Sequence, residues 1–148
     1  MTGSATETLS LHFIEMLILI HRNFYRHLAA PVPLNQFATL MTLRIDGEES
    51  LTNIGKFLNI SKQQMTSIAE KLTAAGLIAR QTDKRDRRRV LLSLTPAGHR
   101  VIEDQNEIVR QKFLRSVRNL QQEEQERLAD AIDLLNRSIE KMAVPADA

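Results

Sequence analysis

Apolar side chains recur at helical spacing along most of the chain. Between about residues 7 and 29 they advance by three or four positions through Leu9, Phe13, Met16 and Ile20. Further apolar residues widen this stripe almost around the helix, which predicts burial on more than one side. The same periodicity predicts helices over about 35–45, 51–58, 95–117 and 121–142. In the second and third of these five helices, the positions predicted to point inward include Phe37, Ile45 and Phe57.

A further helix is predicted between the 51–58 and 95–117 helices, and the sequence carries clear signals for its start and its end. Ser61, with Gln64 three residues later, forms a capping-box pattern, and Gly76 is typical of the residue just after a helix end. The 51–58 helix and this one are short and closely linked, which predicts a helix-turn-helix. Residues 77–80 and 90–94 are short, apolar and partly alternating, which predicts two strands of a β-hairpin around a charged tip. Directly after a helix-turn-helix, such a hairpin is a wing.

The charges are segregated along the chain, although its net charge is only +2. Residues 56–100 carry ten basic and three acidic side chains, a net charge of +7, whereas the remainder carries ten and fifteen, a net charge of −5. This asymmetry indicates a face directed at a polyanion, the alternative being a solvated surface. There is no cysteine, which excludes disulfides, thiol nucleophiles and cysteine-rich zinc sites.

Two segments of the basic region are candidates for reading DNA. The polar face near the start of the 61–75 helix is suited to base edges and phosphates in a major groove. The predicted contacts there are Ser61, Lys62, Gln63, Thr66 and Ser67. The hairpin tip concentrates cations that suit a narrow minor groove. The predicted contacts there are Lys84, Arg85, Arg87 and Arg88. Asp83 and Asp86 are expected to orient the arginine forks through charge-assisted hydrogen bonds. The alternatives are a solvated helix face and a solubilising loop.

The segments Asp86-Arg87-Arg88 and Leu94-Thr95-Pro96-Ala97-Gly98 together resemble the Asp-x-Arg … Leu-Thr-x-x-Gly signature of the MarR family of winged-helix transcriptional regulators. The resemblance implies a mainly α fold with a small β-hairpin wing. A winged helix-turn-helix lobe (35–95) would be flanked by N-terminal (1–34) and C-terminal (96–148) dimerisation helices.

The resemblance also implies an obligate homodimer on a pseudopalindromic double-stranded DNA operator. The arginine at Arg88 would enter the minor groove, and the acid at Asp86 would steady the wing. The residues expected to form the dimer surface are apolar positions of the outer helices, the later four lying on a coiled-coil-like seam. They are Leu9, Phe13, Ile20, Leu128, Ile132, Leu135 and Ile139.

Family members often bind small aromatic or anionic effectors between the dimer base and the DNA lobes, which weakens DNA binding. The corresponding segments contain four candidate residues, for each of which core packing is the favoured interpretation. They are His12, Met16, Phe37 and Met41. The four histidines of the chain lack metal-ligand spacing, so neither a metal nor a cofactor is expected.

These observations predict a homodimeric, sequence-specific DNA-binding transcriptional regulator, a repressor released by a small-molecule effector. The alternative is a helical, dimeric interaction module whose basic hairpin docks an acidic protein. No phosphate-binding loop, metal-ligand motif or nucleophile elbow supports an enzyme. The longest apolar run, residues 16–20, is far short of the roughly 20 residues that span a bilayer. Residues 1–10 lack the basic start of a signal peptide, so a cytoplasmic protein without a membrane partner is expected.

Overall fold

The computed structural model describes residues 4–29 and 31–142. The chain divides into two compact units, Met1–Val109 and Arg110–Ala148. Within the described residues, no helix has the length and apolar content needed to cross a membrane. The order of elements confirms the predicted fold class, since helices dominate and the strands form one small sheet.

Within the described residues, six α-helices and three strands follow one another, with a π-helical turn after the first helix. They are α1 (Ala5–Ile20), α2 (Leu34–Asp46), β1 (Glu49–Ser50), α3 (Leu51–Phe57), α4 (Lys62–Ala74), β2 (Ile78–Thr82), β3 (Val90–Leu94), α5 (Pro96–Val117) and α6 (Gln122–Met142).

The ends of α4 form as the sequence predicts. The Ser61 hydroxyl accepts a hydrogen bond from the Gln64 backbone N–H at 3.3 Å, and the Gln64 side chain accepts one from the Ser61 N–H at 3.4 Å, which completes the capping box. At the other end, Gly76 has a φ of +73°. The Gly76 N–H bonds to the Thr73 carbonyl at 2.9 Å and the Leu77 N–H to the Leu72 carbonyl at 3.0 Å. This is a Schellman motif, and its positive φ suits glycine.

The wing belongs to a three-stranded antiparallel sheet of order β1-β3-β2. β2 pairs with β3 from Ile78 opposite Leu94 to Thr82 opposite Val90. The sequence does not predict β1, which has only two residues and therefore no alternation to detect. Because β1 pairs with β3 through Glu49 opposite Leu92, it ties the wing to the chain segment that begins α3.

The core of the first unit lies between its helices and the sheet. The buried apolar residues that form it are Leu40, Leu43, Leu51, Ile54, Met65, Ile68, Ala69, Leu72, Leu77, Ile78, Leu92 and Ile102. Phe37 packs against this cluster. The prediction that Ile45 and Phe57 point inward is wrong, since they are 75% and 59% exposed. At 100° per residue, Ile45 lies almost opposite the buried side of α2, and Phe57 lies about 110° from that of α3.

The start of α5 is fixed against the end of α4 by Thr95. Its hydroxyl donates to the Gly76 carbonyl at 2.6 Å and accepts from the Gly98 N–H at 3.1 Å. Gly98 is buried, and a Cβ added there would lie 2.1 Å from the Leu77 carbonyl oxygen. The Leu-Thr-x-x-Gly segment therefore packs the start of α5 against the end of α4. Thr95 forms the hydrogen bonds, and Gly98 allows the close approach because it has no side chain.

α1 begins at a capping box between Ser4 and Glu7 and, within the described residues, buries none of its own side chains. The predicted burial on more than one side is therefore wrong for the isolated chain. The helix is also shorter than the predicted 7–29. It passes into a π-helical turn, His21–Tyr25, and His27 has a φ of +66°, which a continuing right-handed helix excludes.

The second unit contains α6, whose bounds agree with the predicted 121–142 to within one residue. The Glu124 carboxylate accepts from the Gln121 N–H at 2.8 Å, which satisfies a free donor at the helix start. Its apolar seam is only partly covered within the chain: Leu128 and Leu135 are half-buried, whereas Ile132 and Ile139 are exposed.

Candidate nucleic-acid interface

The exposed side of α4 presents a line of polar side chains opposite its core-facing side. Met65, Ile68, Ala69 and Leu72 are buried, as the helical wheel predicts. The other side carries an open depression of about 530 Å³. The residues that line it are Lys62, Gln63, Thr66, Ser67 and Glu70. Four of these five are predicted DNA contacts, and Glu70 is the addition that the structure makes.

The hydroxyl groups at the start of α4 differ in how free they are. The Thr66 Oγ1 donates to the Lys62 carbonyl at 2.9 Å, so this side chain offers outward only acceptor lone pairs and a methyl group. Ser61 uses its hydroxyl for the helix cap, accepting from the Gln64 N–H and donating to Gln64 Oε1 at 3.1 Å. Within the described residues, no hydrogen bond of the chain occupies the side chain of Gln63 or Ser67. In that part of the chain, Gln63 and Ser67 therefore keep their side-chain donors free, as does the ammonium group of Lys62.

The carboxylates of the wing tip organise its backbone. Asp83 Oδ1 accepts from the Arg85 N–H at 2.8 Å, and Asp86 Oδ1 accepts from the Arg88 N–H at 3.0 Å. In both hydrogen bonds the acid holds a backbone N–H, so the expectation that it holds an arginine fork is wrong for these two contacts. The one guanidinium contact at the tip joins Arg89 Nη1 to Asp83 Oδ2 at 3.9 Å. The two acids order the turns on which the cations are mounted.

Four cations of the wing tip remain exposed: Lys84, Arg85, Arg87 and Arg88. Within residues 4–29 and 31–142, none of the four side chains forms an ion pair with the chain. Two backbone bonds close the tip, from Asp83 N–H to the Arg89 carbonyl at 3.0 Å and from Arg89 N–H to the Asp86 carbonyl at 2.9 Å. The tip is thus an ordered turn that presents unneutralised positive charge.

The four candidate effector residues lie on two different helices. Phe37 and Met41, one turn apart on α2, pack against the core, as the simpler interpretation predicts. On α1, Met16 is half-buried and His12 is exposed. Among the described residues, no group of three or more His, Cys, Asp or Glu side chains is arranged to hold a metal ion.

Comparison with known proteins agrees with this geometry. A family model described as MarR family matches residues 32–90, which extend from just before α2 to the first residue of β3. The segment from α2 to the start of β3 therefore matches the MarR family, as the sequence resemblance predicts. Members of this family are transcriptional regulators and not enzymes, which agrees with the expectation from the sequence.

MarR-family likeness extends to both sequences and structures. The chain is 26% identical over 105 residues to the uncharacterised HTH-type transcriptional regulator YfiV of Bacillus subtilis, covering 71% of this chain and 66% of that protein. In three curated relatives from Bacillus subtilis, the aligned segments span 52–66% of the relative's length.

Two solved structures illustrate how far the MarR-type fold extends along the chain. The transcriptional regulator Tm0710 of Thermotoga maritima superposes with a TM-score of 0.78 at 21% identity, covering 91% of this chain and 96% of that one. BpsR of Bordetella bronchiseptica, whose DNA binding is regulated by 6-hydroxynicotinic acid, superposes with a TM-score of 0.52 at 26% identity, covering 88% and 98%.

Proposed function

We propose that this protein is a homodimeric, sequence-specific transcriptional regulator that binds double-stranded DNA and acts as a repressor released by a small-molecule effector. The observation that carries the proposal is the wing tip, where carboxylates order the backbone and four cations stay free of ion pairs among the described residues. Free cations on an ordered turn suit phosphates and a narrow minor groove. A regulator of chromosomal DNA would act in the cytoplasm.

In this proposal the 35–95 lobe reads DNA through two elements. The start of α4 enters the major groove, where Gln63 can pair with adenine and Lys62 can hold a phosphate. The methyl group of Thr66 is suited to a thymine methyl, because its hydroxyl hydrogen is already donated to Lys62. Arg88 enters the minor groove, with Asp86 holding the backbone of that residue. Ser61 acts mainly by fixing the start of α4.

Homodimerisation would cover apolar surface that the chain leaves open in segments 1–34 and 96–148. Eight large apolar side chains of α1, which include Leu9, Phe13 and Ile20, are between 37% and 70% exposed. In α6, the exposed Ile132 and Ile139 continue a seam with period close to 3.5. Monomeric proteins rarely expose contiguous apolar patches of such extent. A second copy of the chain, in a closed symmetric assembly, would cover this apolar surface.

Release by a small effector is supported by the likeness to BpsR, whose DNA binding is regulated by 6-hydroxynicotinic acid. The partly buried Phe37, Met41 and Met16, with His12, remain the residues proposed to contact such a compound. Isothermal titration with a panel of aromatic carboxylates tests this part, and a compound that binds should lower operator affinity. A panel without any binder would leave a repressor controlled by other means.

The test of DNA recognition begins with selection of bound genomic fragments by the purified protein, which gives the operator. Arg88→Ala should then weaken operator binding at least tenfold in a gel shift while the protein stays folded. Arg115→Ala, the same change on an exposed residue of the second unit, is the matched control and should bind as the wild type does. Wild-type affinity of Arg88→Ala would refute the role of the wing.

Salt dependence separates DNA binding from the alternative of docking an acidic protein. A dimer that contacts several phosphates should lose roughly a thousandfold in affinity between 50 and 200 mM salt. If the protein binds no duplex at low salt, the docking interpretation gains and the regulator proposal fails. A reporter gene placed behind the selected operator then distinguishes repression from activation.

A further inference from the structure

Glu70 is the one acid on the face of α4 that lines the depression with Lys62, Gln63, Thr66 and Ser67. Its side chain is exposed. A surface directed at a polyanion has an electrostatic reason to exclude a carboxylate there, because phosphates repel it. A carboxylate at this position therefore needs an explanation.

The helix itself gives none. Its neighbours three and four positions away are Thr66, Ser67, Thr73 and Ala74, so no cation is placed to form a helical ion pair. Over the part of the chain that the structure describes, no hydrogen bond or ion pair engages the Glu70 carboxylate. Glu70 is also the ninth of the 13 residues of α4, in the half of the helix where negative charge is not favoured by the helix dipole.

Base chemistry in the major groove supplies a reason. Cytosine presents its N4 amino group there, and a carboxylate, which only accepts hydrogen bonds, is suited to that donor. Gln63 and Glu70 lie two helical turns apart on one side of α4, a separation of about 10.5 Å along the axis. That distance spans at most about three base-pair steps of 3.4 Å, so a helix inclined along the groove places the two residues over different base pairs.

We propose that Glu70 is a specificity-determining residue that selects a cytosine in each half-site, within about three base pairs of the base contacted by Gln63. The inference rests on the proposed function, since it requires α4 to enter the major groove. The carboxylate accepts from cytosine N4–H and disfavours bases that present only acceptors at that place. Its repulsion by phosphates acts on every sequence, and the hydrogen bond to cytosine offsets it only where that base is present.

The experiment selects duplexes from a random library with the purified wild-type protein, Glu70→Gln, Glu70→Ala and the control Glu140→Gln, an exposed acid of α6. The wild type and the control should enrich cytosine at one position of each half-site. Glu70→Gln should move that preference toward adenine, which a Gln side chain pairs with. The preference for cytosine should fall by about tenfold, in line with the value of one good base contact. Glu70→Ala should accept all four bases there and bind random duplex more tightly.

Two results would overturn the inference. Identical base preferences for all four proteins would exclude a role for Glu70 in reading sequence. An equal rise in affinity for every sequence, without a change of preferred base, would leave only general repulsion. Glu, Gln and Ala all favour helices, so similar melting temperatures should show that the fold is retained. If the wild type itself selects no duplex, the proposed function fails before Glu70 is tested, which distinguishes the two failures.

Discussion

Gly98→Ala is the substitution for which the structure gives the clearest magnitude. The new Cβ would lie 2.1 Å from the Leu77 carbonyl oxygen and 3.0 Å from a methyl carbon of Leu94. The first contact involves a backbone atom, so no side-chain rotation relieves it. The start of α5 would have to retreat by about 1 Å to reach even a tight contact. That movement would stretch the hydrogen bond from Thr95 to the Gly76 carbonyl.

The free energy of unfolding follows from two opposing effects. Overpacking costs about 1–3 kcal/mol and occasionally more, and a backbone clash belongs at the upper end of that range. Alanine favours a helix interior over glycine by about 1 kcal/mol. We therefore expect a net loss of about 2 kcal/mol. For a chain of this size, that corresponds to a melting temperature lower by roughly 4–8 °C.

Urea melts followed by circular dichroism at one fixed protein concentration measure the change, since association makes stability concentration-dependent. Ala131→Gly, at an exposed position of α6, reports the helix preference alone and should cost about 1 kcal/mol. If Gly98→Ala instead stabilises the protein by about that amount, the close approach of α5 to Leu77 is not tight and the reasoning is refuted.

Four further substitutions test other features. Gly76→Ala should cost about 1 kcal/mol in the same melts, because its φ of +73° strains alanine although a Cβ there meets no atom within 4 Å; an unchanged urea midpoint would contradict the strain. Ser61→Ala should cost about 1 kcal/mol by removing the α4 cap, and Ser61→Asn, which can still cap, is its control. Asp86→Ala should speed amide exchange at Arg88 and weaken operator binding without changing the urea midpoint; unaltered exchange would argue against the turn. Ile132→Asp should convert a dimer to monomers in light scattering, and a monomeric wild type would refute the proposed seam.

Much of the lobe could be predicted because its signals are local. The capping box at Ser61, the Schellman glycine Gly76 and the start of α5 depend on residues within a few positions of one another. The errors lie where the fold is decided at a distance. Phe57 is apolar but lies well away from the core-facing side of α3, and the half-buried Leu58 packs against the core instead. β1 exists only because β3 lies beside it.

The site shows the same division. The sequence predicts its cations, because charge clustering is visible without a structure, but it does not reveal how the acids act. Whether Asp83 holds a guanidinium or a backbone N–H depends on the turn geometry. Glu70 escaped prediction because negative charge on a DNA-binding helix runs against the electrostatic argument that found the rest. Its position in the depression is the observation that brings it into the interface.

The sheet order has a consequence for how copies of this chain can associate. β3 is paired on both sides, so the sheet ends at β1 and β2. Free backbone groups at a sheet edge invite strand pairing with other chains, and nature discourages this with very short or charged edge strands. β1 has two residues, and β2 exposes Arg80. Both edges are therefore poor templates for a further strand, which favours the helices over the sheet as a surface for contacts between copies.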